Sequence, residues 1–138
     1  MKLAGNFEPA VRAGNLLYVS GHISGIGDDP VIGKVGLETT LERGYEGARR
    51  VGDALIAALE AELGTLDSVT RIVKVTGFVN AAPGFVEIPA VMNGVSDRLV
   101  EVFGPRGRHS RSAIGVASLP ANSSVEAELI AEIADAVV

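Results

Sequence analysis

The stretch Arg108-His109-Ser110-Arg111-Ser112-Ala113-Ile114-Gly115-Val116-Ala117-Ser118-Leu119-Pro120 decides how the chain is read, together with Val125-Glu126-Ala127-Glu128-Leu129-Ile130-Ala131-Glu132-Ile133 after a short break. Ser112 to Leu119 reads as a strand. Leu119-Pro120-Ala121-Asn122-Ser123-Ser124 reads as a turn on its Pro, Asn and Ser content. From Val125 onward apolar and acidic residues alternate, which fits a strand with Glu126, Glu128 and Glu132 on its wet face. The same letters are good helix formers, and Val125, Leu129 and Ile133 also fall at helical spacing. Propensity leaves the two readings equal.

Working back toward the N-terminus, Phe85 to Phe103 carries apolar residues in helical register, with Pro89 in its first turn and Gly104-Pro105 as its stop. Asn80 to Gly84 separates that helix from Val69–Val79, a β-branched run that reads as a central strand. Leu41, Tyr45, Ala48, Gly52, Leu55, Leu59 and Leu63 form one stripe of a long helix over Thr39–Leu63, ended by Gly64. Gly21 to Gly36 is a glycine-rich loop with a short extended piece near Val31-Ile32. Leu16 to Ser20 is a strand, and Phe7 to Val11 is its hairpin partner across Ala13-Gly14-Asn15. Strands with two interspersed helices are most simply satisfied by an α+β layer, both helices on one face of a mixed sheet.

Composition narrows the function. The 138 residues suit one domain over 1–138, and no cysteine is present. That removes thiol nucleophiles, disulfides and thiolate metal sites, and it favours a reducing compartment, hence a cytoplasmic location. Met1 to Asn6 lacks the apolar core of a signal peptide, and Val79 to Val86 is far too short to cross a bilayer. The formal net charge is −5, and the one basic cluster is Arg106 to Arg111. A nucleic-acid partner is therefore not expected. The 47 % apolar content, dominated by Ala, Val and Gly, favours a buried subunit interface.

Few residues carry chemistry. His22 follows a strand, and reads either as a loop acid–base group or as a surface histidine. Two histidines without paired spacing make no metal site; Gly25-Ile26-Gly27 lacks the third glycine of a phosphate loop. Glu126 is either part of the wet face or a carboxylate that places a water. Arg111 heads a strand within the basic cluster, and a guanidinium grips a carboxylate through two parallel hydrogen bonds. The alternative is a solvated arginine, or one paired with a helix carboxylate.

Arg108 to Pro120 followed by Val125 to Ala131 resembles the signature of the Rid/YjgF family, the reactive-intermediate deaminases once called L-PSP endoribonucleases. Ala13 to His22 resembles the family's opening hairpin, and the resemblance runs over essentially the whole chain. It implies a chorismate-mutase-like α+β fold, a mixed six-stranded sheet with two helices on one face, and a last segment that is strand. It further implies a homotrimer with ligand clefts between subunits and no cofactor. The substrate would be a 2-imino acid, converted to a 2-oxo acid and ammonia. Arg111 would hold the carboxylate, Glu126 would place the water and His22 would assist protonation, with Ser20, Gly21, Phe7 and Ala113 lining the cleft. This chain has Phe7 where the deaminases carry tyrosine, Ala113 where many carry cysteine and Pro89 where they carry asparagine. It is closer to a divergent, chorismate-mutase-like branch. The alternative function is a non-catalytic trimer that binds a small carboxylate metabolite.

A hairpin of Ser112–Leu119 with Val125–Ile133 would set Glu126 opposite Ala117, six residues from Arg111. At about 3.3 Å per residue the two are then about 20 Å apart, which calls for a second copy of the chain to complete one site.

Overall fold

The computed structural model describes residues 5–135. Strands β1 (Ala10–Ala13) and β2 (Leu16–Ile23) form the opening hairpin, and α1 (Leu41–Leu63) follows the glycine-rich loop. Then come β3 (Val69–Asn80), α2 (Ile88–Phe103), β4 (Ser110–Val116) and β5 (Val125–Ile133). Among the described residues the sheet has five strands in the order β1-β2-β5-β3-β4, not six. Among the described residues the segment near Val31-Ile32, set between Pro30 and Gly33, makes one isolated bridge, Ile32 with Ser123, rather than a ladder.

Local sequence accounts for the helix ends. Thr40 caps α1 by accepting the Arg43 backbone N–H at 3.1 Å, and Gly64 closes it in the left-handed region at φ 81°. Pro89 sits in the first turn of α2, where its missing N–H has no intrahelical partner to lose. The helix begins at Ile88, three residues later than the apolar register predicts. Both helices pack on one face of the sheet, α1 over β2 and β5, α2 over β3 and β4. Leu55, Leu59, Ile72, Val75, Val91, Met92, Leu99, Val125, Ala127 and Leu129 fill the layer between.

The helices approach closely at Gly94, where an added Cβ would land on the Tyr45 carbonyl and 2.7 Å from the Ala48 Cβ. Helix propensity alone favours alanine there by about 1 kcal/mol. Steric overlap with rigid backbone outweighs it. Gly94→Ala is therefore expected to destabilise the protein by about 1–3 kcal/mol, read as a lowered urea midpoint with unchanged slope.

The expected hairpin of the last two strands does not form. β4 runs parallel to β3 at the sheet edge, as a strand returning through a helical crossover does, and β5 pairs antiparallel with β3 and β2. Asn80 at the end of β3 explains the placement. Its N–H donates to the Ser124 carbonyl at 2.9 Å and its Nδ2 to the Ser123 carbonyl at 3.2 Å, so the turn delivers the chain to β3 rather than back onto β4. Glu126 accordingly faces Phe78, not Ala117.

Candidate functional site

The sheet's two faces divide the predicted site residues. On β4, Arg111 and Ala113 pair with Val75 and Gly77 and point to the helix side. On β5, Glu126 lies between buried Val125 and Ala127 and points to the open side, beside Gly21 of β2. A Cβ at Gly21 would stand 2.5 Å from Glu126 Oε2, so glycine at 21 makes room for the carboxylate. Burial raises the Glu126 carboxyl above the usual range, and neighbouring Glu128 adds to the rise. Val75 and Phe78, the β3 partners of Arg111 and Glu126, are three residues apart. With two strand spacings between β4 and β5, that puts the two backbones roughly 14 Å apart, closer than the hairpin implied. The opposite facing of the side chains is what separates them.

The remaining positions scatter. Ser20 Oγ donates to the Glu8 carbonyl at 2.7 Å, which ties β2 to the segment before β1, and Phe7 there is exposed. His22 follows an irregularity in β2 and pairs with Ala127, three strands from β4; burial lowers its imidazole below the ordinary range. Asp29 is engaged by Arg43 at 2.7 Å and Arg50 at 3.1 Å.

Around Arg111 the structure assembles a cleft of about 300 Å³, lined by Asn93, Ser96, Asp97 and Val100 of α2 together with Arg108, His109 and Arg111. Arg111 Nη1 donates to Asn93 Oδ1 and to Ser96 Oγ, both at 3.0 Å, and Nη2 to the Pro89 carbonyl at 3.4 Å. His109 Nε2 lies 2.9 Å from Ser96 Oγ, and its Nδ1 lies 2.6 Å from the Gly107 carbonyl. Asp97 accepts a hydrogen bond from Tyr45 at 2.6 Å. Burial depresses the Arg111 guanidinium, with Asp97 partly opposing. Among the described residues Arg43, Arg49, Arg50 and Arg98 are each paired with a carboxylate, whereas Arg108 and Arg111 are not.

Ser96, Asn93 and His109 were not legible as site residues. Asn93 sits one helical turn beyond Pro89, and the i, i+3 spacing of Asn93 and Ser96 on α2 is the one signal that places both on a single face. Which face meets β4 depends on helix packing.

Two helices over one face of a mixed sheet, with a cationic cleft where α2 meets the edge strand, define a chorismate-mutase-like α+β protein. The family profile described as "YjgF/chorismate_mutase-like, putative endoribonuclease" matches residues 2–133, and the chain belongs to this YjgF family. It is 38 % identical over 133 residues to Protein TCP17 of Trypanosoma cruzi, covering 94 % of this chain and 82 % of that one. The crystal structure of Atu1372 from Agrobacterium tumefaciens, a protein of unknown function, superposes with a TM-score of 0.90 at 40 % identity, covering 95 % of this chain and 84 % of that one. RidA from an Antarctic Psychrobacter superposes with a TM-score of 0.62 at 26 % identity, covering 96 % and 92 %.

Proposed function

We propose that the protein binds a small 2-imino acid through Arg111 and hydrolyses it to a 2-oxo acid and ammonia, at clefts shared between the subunits of a homotrimer. The observation that carries the reading is the state of the Arg111 side chain. A guanidinium has five N–H donors. Three are taken by Asn93, Ser96 and Pro89, which leaves Nε–H and one Nη2–H unclaimed among the described residues. Two unclaimed donors and a half-buried charge with no carboxylate in salt-bridge contact among the described residues suit one bidentate carboxylate. An imine is already electrophilic, so its hydrolysis needs positioned water and proton transfers rather than a cofactor.

Glu126 is the carboxylate for the water, and it faces away from Arg111 across the sheet. A second copy covering the open face brings its own cleft toward Glu126. That face carries exposed Val11, Tyr18 and Ile114, an apolar surface suited to burial between subunits. Ala113 supplies no thiol to this site, so the chemistry rests on oxygen and nitrogen groups.

Two measurements test the reading. Light scattering at micromolar concentration is expected to give three times the chain mass, and a stable monomer would defeat the shared cleft. An imine generated by an amino-acid oxidase in the presence of the protein is expected to yield 2-oxo acid faster than buffer alone. Equal rates, with 2-oxo acid binding seen by calorimetry, would establish the non-catalytic binder instead.

A further inference from the structure

The hydrogen bonds behind Arg111 have a direction that follows from which atoms can donate. The Gly107 carbonyl only accepts, so His109 Nδ1 carries a proton. Arg111 only donates, so Ser96 Oγ accepts from it. The direction of the third bond, between Ser96 Oγ and His109 Nε2, then depends on one proton. With His109 neutral, Nε2 accepts, the single Ser96 hydroxyl hydrogen is spent on it, and Ser96 offers the cleft no donor. With His109 protonated, Nε2–H donates to Ser96 Oγ, whose two lone pairs are then filled by His109 and Arg111. The hydroxyl hydrogen is released to turn into the cleft.

We propose that Ser96 and His109 form a proton relay into the Arg111 cleft, so that an anion bound there takes up a proton at His109 and receives a hydrogen bond from Ser96. With an imine as ligand, Ser96 passes its hydroxyl proton to the imine nitrogen as His109 Nε2–H reprotonates Oγ. The imidazolium becomes neutral imidazole, the imine becomes an iminium ready for water, and Ser96 ends as a hydroxyl. Ser96 touches the ligand; His109 acts through it. This rests on the reading of Arg111 as the carboxylate anchor, and it puts the acid at His109 rather than at His22.

The charges around His109 set the sign. Arg108 and Arg111 flank it in sequence and line the cleft with it, Asp97 of α2 lines the same cleft but is engaged by Tyr45, and Arg106 in the preceding turn is drawn to the Val69 carbonyl and the Phe103 ring. Burial holds the imidazole below its ordinary range, the Gly107 bond opposing and Arg111 adding to the depression. An anion bound beside Arg111 relieves that repulsion, so ligand binding raises the proton affinity of His109. Binding must then strengthen as pH falls, as linkage requires of any ligand that takes up a proton.

The test uses pyruvate, the smallest 2-oxo acid, in calorimetry at about pH 6.5 (the ordinary imidazole range) in two buffers of different ionisation enthalpy. Wild type is expected to take up about half a proton or more per pyruvate, and to bind several-fold more tightly from pH 7.5 to about 6. His109→Gln should bind with uptake near zero and a flat pH profile. Ser96→Ala should lose at least about tenfold in imine turnover, and Ser96→Thr, which restores the hydroxyl, should recover most of it. Pyruvate binding without proton uptake, or uptake undiminished in His109→Gln, overturns the relay and leaves the carboxylate anchor standing. Failure to bind pyruvate at all overturns both. Uptake without any imine turnover keeps the coupled binding and removes the deaminase.

Discussion

Arg111→Ala is expected to lose carboxylate binding by at least about 100-fold while folding normally. Each hydrogen bond to a charged partner contributes about 1.5–3 kcal/mol, and the unclaimed Nε–H and Nη2–H supply two of them. The fold does not depend on the same contacts. Of the groups Arg111 leaves behind, Asn93 Oδ1 and Ser96 Oγ belong to residues lining an open cleft at the sheet edge and Pro89 is exposed, so water replaces the guanidinium. Arg111→Lys should recover little. An ammonium has three donors, and satisfying Asn93 and Ser96 leaves at most one for the ligand. Calorimetry with pyruvate and a urea melt on each variant decide the point. Retained affinity in Arg111→Ala with an unchanged melt would remove the anchor from Arg111.

Mixing two inactive variants is expected to restore activity. Arg111→Ala subunits keep Glu126, and Glu126→Gln subunits keep Arg111. In a cyclic trimer each interface joins one face of a subunit to the other face of the next. With equal amounts and random exchange, half the interfaces have an intact arginine side and half of those an intact glutamate side. About a quarter of wild-type activity should return. Glu126→Gln is a fair partner because it should not weaken the fold. Burial raises the Glu126 carboxyl, so the folded chain disfavours its ionised form. An acid shifted that way lowers stability as pH rises past its unfolded pKa, and a neutral amide avoids the loss. Mixed trimers confirmed by native mass spectrometry and still inactive would rule out the shared site, given active wild type.

The residue patterns determined most of the architecture without help. Local rules sufficed for the capped helix over residues 41–63, the Gly14-Asn15 hairpin, the first-turn Pro89 and the β-branched run from Val69. Each depends on neighbours within a few positions, which is the range over which propensity, capping and turn chemistry act. Arg111 and the wet-face carboxylates were visible for the same reason: their residue types and alternation are local.

Pairing and facing belonged to the tertiary structure. Val125–Ile133 fits helix and strand equally until β2 and β3 supply ladders on both sides, because strand propensity is largely the packing of neighbours. Adjacent strands in sequence favour a hairpin, but Asn80 captures the Ser123 and Ser124 carbonyls and inserts β3 between β4 and β5. That one insertion shortens the backbone separation of Arg111 and Glu126. Their opposite facing comes from the alternation of the pleat read across β3, where Val75 faces the helices and Phe78 faces away. The Ser96–His109–Arg111 chain joins α2 to β4 across 13 to 15 positions of sequence, and only the packing of that helix on that edge brings its atoms within hydrogen-bond reach.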